Sequence, residues 1–282
     1  AILSYMIEKE AEVSAMRVLA IGDVVGSIGC KCLRALLPNL KKEKKIDLVI
    51  VNGENSADGN GITPASAEHL FASGADVITT GNHAFRRRES YELFAGRHNL
   101  LRPANYPHGA PGKGICVVDK GRFQVAVVNL MGTVYLEALD CPFATMERLL
   151  AENHLPKVIL VDFHAEATGE KGGFAYAYDG AVSAVFGTHT HVQTADTQIL
   201  PKGTGFITDL GMTGPCHSVL GVKPELIIKK LKTKMPVRFD LASGSCHMDG
   251  AIFEIDEKTG KTNSVERIHL IQPASAIKTT QN

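Results

Sequence analysis

Four stretches of this sequence concentrate residue types that hold metal ions and move protons. They are Gly22-Asp23-Val24-Val25-Gly26, Asn52-Gly53-Glu54-Asn55, Gly81-Asn82-His83, and a two-part group, Asp162-Phe163-His164 with Gly187-Thr188-His189-Thr190-His191. Singly, each has a plain structural explanation. An Asp after a strand turns the chain or caps a helix. An Asn-Glu-Asn run is a polar loop, and one strand-end histidine is a hydrogen-bonded core residue. The pair His189/His191 resists that reading. In extended chain, residues i and i+2 point to one side. Two protonated imidazoles there repel, so a cation between them is the natural partner. Together the stretches deliver Asp, Glu, Asn and His donors at successive strand ends. Two neighbouring cations need such a mixture: terminal imidazoles and amide oxygens, with a carboxylate able to bridge. Mixed nitrogen and oxygen donors suit Fe, Mn, Zn or Co rather than Mg or Ca. The six cysteines, at 30, 32, 116, 141, 216 and 246, all lie outside these stretches, so no thiolate site is expected.

Strands must carry these stretches. Residues 17–22, 47–52 and 76–79 read as short buried strands. Between them, residues 29–45 place Leu33, Leu36, Leu37 and Leu40 on one helical face, with Pro38 expected to kink or split the helix. Thr63-Pro64 reads as N-cap and first helical residue, with Gly74 as the stop. A further helix is expected over 87–95, ended by Gly96. The second half predicts strands at 115–118 and 124–130 joined by a Lys-Gly turn, then a helix at 143–153. More strands are expected at 158–163, 182–186, 196–200 and 205–208, a helix at 224–231, and closing strands at 236–241, 247–255 and 264–271. Strand–helix alternation followed by added strands predicts an α/β fold with helices covering the sheets, and sites collected at strand C-termini. No repeat or linker interrupts the chain, so one domain is expected over 16–272. Residues 1–15 read as an extension or expression remnant, and 273–282 as a polar tail.

Composition limits the function classes. Apolar residues make up 44% and charged residues 21% of the 282, average for a water-soluble globular protein. Thirty basic and 30 acidic side chains cancel, so no global charge draws the chain to nucleic acid or to an anionic membrane. The run KKEKK at 41–45 reads as a solvated helix tail. Aromatics total 6% with no tryptophan, against an RNA-binding module. Neither a bilayer-length apolar run nor a secretory leader is seen, and scattered cysteines fit reduced thiols, so a cytoplasmic location is expected.

The order GD…NGEN…GNH…H…GTHTH resembles the calcineurin-like metallophosphoesterases. Three positions depart from the wider pattern: Val25 for a His, Glu54 for an Asp, and Ala84 for an acidic residue. The first two departures resemble those of the YmdB-like 2′,3′-cyclic-nucleotide phosphodiesterases. Their blocks stand here as GDVVGSIG, NGENSADGNGIT, GNHAF, LRPANYPHGAPGKG, DFHAEATGEK, GTHTHVQTAD and ITDLGMTGP, running to Pro215. The resemblance implies a layered α/β/β/α sandwich of the metallo-dependent phosphatase type. It implies that Asp23, Glu54, Asn55 and His191 hold one metal, and that Glu54, Asn82, His164 and His189 hold a second, with Glu54 bridging. Iron is the first choice, with Mn or Zn as alternatives. His83 would be the general acid. Two cations sharing a water would give hydroxide near neutral pH, which attacks phosphorus while His83 protonates the departing ribose oxygen. Expected partners are a small phosphodiester or cyclic nucleotide, RNA ends among them, and further copies of the chain.

Two residues have competing readings. Arg102 could clamp a substrate phosphate or form a structural salt bridge. Asp209 could orient a ligand histidine from behind or form a turn. Ala84-Phe85-Arg86 and Asp58 depart from the subfamily and are expected at the substrate mouth. The alternatives to a cyclic-nucleotide diesterase are a broader phosphatase or nuclease with the same metals, and a metal-binding regulatory protein acting through a partner.

Overall fold

The first strand shows how this chain divides its core. Met16, Val18 and Ala20 face one way and Leu19 and Ile21 the other, yet all are buried. Such a strand must lie in a sheet covered on both faces. The computed structural model describes residues 15–58, 60–152 and 154–277. In chain order they form β1 (Ala15–Ile21), β2 (Asp23–Val24), α1 (Gly26–Glu43), β3 (Leu48–Asn52), α2 (Pro64–Ser73), β4 (Val77–Thr79), α3 (Ser90–Gly96), β5 (Ile115–Asp119), β6 (Gln124–Met131) and α4 (Pro142–Glu152). There follow β7 (Val158–His164), α5 (Thr168–Ala177), β8 (Ala184–Thr188), β9 (Gln198–Ile199), β10 (Gly205–Ile207), β11 (Met212–Pro215), α6 (Pro224–Thr233), β12 (Cys246–Asp256), β13 (Thr262–Gln272) and α7 (Ala274–Ile277).

Two sheets result. One has the order β2-β11-β12-β1-β3-β4, with β13 also pairing β12; the other runs β5-β6-β7-β8-β10-β9. Three apolar cores make the expected α/β/β/α layers. Leu33 and Leu37 of α1 and Leu70 of α2 pack on Leu19, Val49 and Val51 of the first sheet. Val18 and Ile50 meet Val127, Leu160 and Phe186 between the sheets. Met146 of α4 and Phe174 of α5 cover Val128, Val161 and Phe163 of the second sheet. No helix among the described residues is long and apolar enough to cross a membrane.

Several expectations need correction. α1 begins at Gly26 and runs unbroken through Pro38. Pro38 sits on the exposed face, where water can satisfy the carbonyl whose helical donor is missing. α3 starts at Ser90, three residues later than expected. α5 and β11 were not expected: Gly172 and Gly173 obscure the helical pattern, and Gly214 and Pro215 read as a turn. The expected strand at 236–241 is irregular chain apart from one bridge between Leu241 and Val222. Of the expected N-terminal extension only Ala15 is described, as the start of β1; residues 1–14 lie outside the described residues. The expected polar tail includes α7, and residues 278–282 lie outside the described residues.

β1, β3 and β4 run parallel, as do β6, β7 and β8. Their C-terminal ends carry the stretches singled out above.

Candidate metal centre

β1 leads through Gly22 into Asp23. A side chain at Gly22 would place Cβ 2.0 Å from the carbonyl oxygen of Gly211, so only glycine lets the chain pass β11 this closely. Asp23 then pairs in register with Met212 and is fully buried. Its Oδ2 accepts the His189 backbone N–H at 3.0 Å. Its Oδ1 is buried with no hydrogen-bond partner, 3.7 Å from His191 Nε2 and 4.0 Å from His164 Nδ1. Beyond β3, Glu54 is also fully buried. Its Oε2 accepts the His83 backbone N–H at 3.1 Å and lies 3.3 Å from His164 Nε2. Beyond β4, Asn82 Oδ1 lies 3.0 Å from the same His164 Nε2, and His189 Nδ1 lies 3.1 Å from it. One donor atom each from Glu54, His164 and His189 thus converges within 4.8 Å. Gly81 keeps this space open: a Cβ there would sit 2.2 Å from His164 Nε2 and 2.4 Å from Glu54 Oε2.

The two histidines of GTHTH do not converge through extended backbone, as their spacing had suggested. β8 ends at Thr188, and His189 and His191 have φ of 101° and 64°. Such left-handed backbone is unfavourable for residues with a Cβ and needs outside support. Asp209 supplies it: Oδ2 accepts the Thr190 N–H at 3.1 Å, between the two histidines. Lys171 Nζ donates to the same oxygen at 2.7 Å, and both side chains are 1% exposed.

Each of the three imidazoles has its remote nitrogen against an acceptor. His191 Nδ1 donates to the Leu220 carbonyl at 3.2 Å. His189 Nε2 lies 2.9 Å from Glu166 Oε2. Thr188 Oγ1 donates to Asp162 Oδ1 at 2.7 Å, so it accepts from His164 Nδ1 at 2.9 Å. Asp162 also accepts from Thr79 and Asn52. These partners fix which nitrogen of each ring faces the centre, the arrangement that metal-ligand histidines use.

The electrostatics agree. Burial pushes Asp23 upward, but the neighbouring imidazoles of His191, first, and His164 outweigh it and hold the carboxyl below its usual range. Burial opposes ionisation of Glu54 too, yet His164 and then His83 hold it well below. Burial lowers His164, but Glu54, Asp23 and Asp162 together raise it to about 9. Burial and the neighbouring His164 push His189 down. The orphaned Asp23 oxygen, the gap kept by Gly81 and the mixed N/O donors fit a metal ion.

Asn55 joins the cluster in an orientation of its own. Its Nδ2 lies 3.3 Å from His191 Nε2 and 3.0 Å from Glu54 Oε1, while its Oδ1 accepts from His83 Nδ1 at 2.9 Å. Ligation through the amide oxygen therefore requires the amide to turn over. His83 Nδ1 is also 3.1 Å from Glu54 Oε1.

Arg102 lies elsewhere. It lines a different cavity and makes no ion pair among the described residues. Nor do the subfamily departures line the cleft beside the cluster. Ala84 is core, Phe85 packs on Tyr91, Phe94 and Tyr106, Arg86 is exposed, and Asp58 accepts the Ser27 N–H at the start of α1. The cleft, about 430 Å³, instead gains an apolar wall from Leu220, Val222, Phe239 and Leu241. Sequence reading missed that wall, as well as Glu166, Lys171 and the Asp162–Thr188 relay. A signal existed for two of these: Asp162 and Glu166 flank His164 at i−2 and i+2.

Comparison with known proteins follows the same lines. A sequence profile of YmdB-like proteins matches residues 19–268. A 2′,3′-cyclic-nucleotide 2′-phosphodiesterase of Bacillus subtilis is 49% identical over 255 residues, 90% of this chain and 96% of that one. A solved hypothetical protein of Thermus thermophilus is 39% identical with a TM-score of 0.86, covering 92% of this chain and 100% of that one. A solved phosphatase of Mycoplasma pneumoniae is 32% identical with a TM-score of 0.88, covering 95% and 98%.

Proposed function

Because the chain belongs to the YmdB-like protein family, we propose that it is a metal-dependent phosphoric diester hydrolase acting on 2′,3′-cyclic nucleotides. The observation that carries the metal reading is the set of three imidazoles, each held by its remote nitrogen and turning the other toward Glu54 and the orphaned Asp23 oxygen. Asp23, Glu54, Asn55 and His191 would hold one ion, and Glu54, Asn82, His164 and His189 a second. The donor set suits iron, with Mn or Zn as alternatives. When bound, such ions supply an activated water near neutral pH and neutralise charge on the phosphoryl oxygens.

The chain's own residues do the rest. Asp23 and Glu54, buried and ionised, set the charge of the site. The Asp162–Thr188 pair holds His164 in one tautomer. Asp209 holds the His189–His191 backbone through Thr190. His83 lines the cleft with Nδ1 against Asn55 and Glu54, so its other nitrogen, Nε2, is the one that can deliver a proton to the leaving oxygen. The wall of Leu220, Val222, Phe239 and Leu241 gives a base or ribose an apolar surface.

The test is a parallel assay of 2′,3′-cyclic AMP, adenosine monophosphates and p-nitrophenyl phosphate. The cyclic diester should turn over fastest, and His83→Ala should lower its rate by about 100-fold or more. Equal turnover of the monoesters would make the protein a broader phosphatase. An unchanged rate in His83→Ala would remove the proton-donor role.

A further inference from the structure

We propose that the recess lined by Arg102, Lys113 and Arg148, beside α4, binds a phosphoryl group at a site separate from the metal cluster. The recess is about 520 Å³, the size of a small-ligand pocket. Arg102 is its inner residue, 8% exposed. Its Nη1 donates to the Pro103 carbonyl at 2.8 Å, while its Nε–H is buried without a partner. No carboxylate pairs with it among the described residues. A guanidinium cannot shed its charge, so burying one without a counter-charge is costly unless an anion comes to it.

The loop cannot easily swing Arg102 into water. Its own N–H donates to the Lys113 carbonyl at 3.0 Å, and that of Ala104 to the Asn129 carbonyl at 2.7 Å. Asn105 is buried and bonds Met131 through both its oxygen and its nitrogen. The rim adds positive charge. Lys113 and Arg148 are exposed, His108 stands with them, and the one carboxylate in the lining is Asp140. Arg148 is tied only to exposed Glu152, at 3.3 Å, a pair that a stronger anion can displace. A planar guanidinium at the base with exposed cations at the rim matches the several oxygens and greater charge of a phosphate. The residues lining this recess and those lining the metal cleft do not overlap, and Tyr106 of the recess packs edge-on against Phe85 at 5.3 Å, two residues beyond His83.

The phosphoryl group can belong to a free small phosphate or to the neighbouring nucleotide of an oligonucleotide end. Calorimetric titration of the metal-loaded protein with inorganic phosphate tests the site itself. Two binding events are expected. Chelation should remove the one at the metal cluster, and Arg102→Met should weaken the other by about 10-fold or more. Should Arg102→Met not fold, Lys113→Gln on the exposed rim is expected to weaken the same event several-fold. The source is read from KM values in Arg102→Met. A rise confined to a dinucleotide ending in a cyclic phosphate, against 2′,3′-cyclic AMP, assigns the recess to an oligonucleotide. Equal KM shifts with the calorimetric event lost assign it to a free phosphate. The KM arm rests on the proposed diesterase activity, whereas the titration does not. A single event in the wild type, abolished by chelation, or an event unchanged in the variants, overturns the proposal.

Discussion

Glu54 is the residue on which the centre turns. Its two oxygens face His164, His83 and Asn55, and it is fully buried with a carboxyl held ionised. Glu54→Gln keeps the shape and removes the charge. It should leave the fold intact, weaken metal binding and lower turnover by about 100-fold or more, since the group that can bridge two cations is gone. Near-normal turnover with full metal content would exclude a bridging role. His164 allows a second prediction. Its value is raised to about 9, so its ion pair with Glu54 stabilises the metal-free protein fully below about 6.5 and ceases to do so as pH rises through about 9. A ligand imidazole must be neutral, so metal uptake at pH 7 should release protons and tighten as pH rises. Titrations in buffers of different ionisation heat would show it, and uptake without proton release would mean His164 is not a ligand.

The elements work by holding backbone and tautomers. Thr188→Val takes away the hydroxyl that links His164 to Asp162. It should cost about 10–100-fold in metal affinity while leaving the cleft's shape unchanged, as measured by competition with a chromogenic chelator. Lys171→Met would leave Asp209 buried without its cation and should lower stability by about 3–5 kcal/mol, read as a fall in thermal midpoint. Much of this framework was legible beforehand. Thr63-Pro64 to Gly74 encloses α2, with Ser66 completing the capping box and Gly74 at φ 116°. Buried parallel strands announce themselves as apolar runs, so the strand-end stretches were correctly placed. β11 and α5 were not legible, because glycines and Pro215 hide elements whose stability comes from packing on neighbours rather than from local pattern. The position of Arg102 was not legible for a related reason: a motif gives residue type, and only the pairing of 102 with 113 shows which cavity the side chain joins.

At the scale of the whole molecule the centre is a seam. Asp23, Glu54, Asn55, Asn82 and His83 come from the first sheet, and His164, His189 and His191 from the second. The proposed ligand set is drawn from both layers, so a metal that binds the native state should raise its thermal midpoint and chelation should lower it. The apolar core between the sheets sets the spacing of the two halves, and the sequence shows it only as alternation within each strand. The most direct test of the account is elemental analysis of the purified protein, with hydrolysis of 2′,3′-cyclic AMP measured on the same sample before and after chelation. The account predicts about two equivalents of Fe, Mn or Zn per chain, activity abolished by the chelator, and activity restored by returning the metal. No tightly bound metal, with no hydrolysis after Mn or Fe is added, would contradict it.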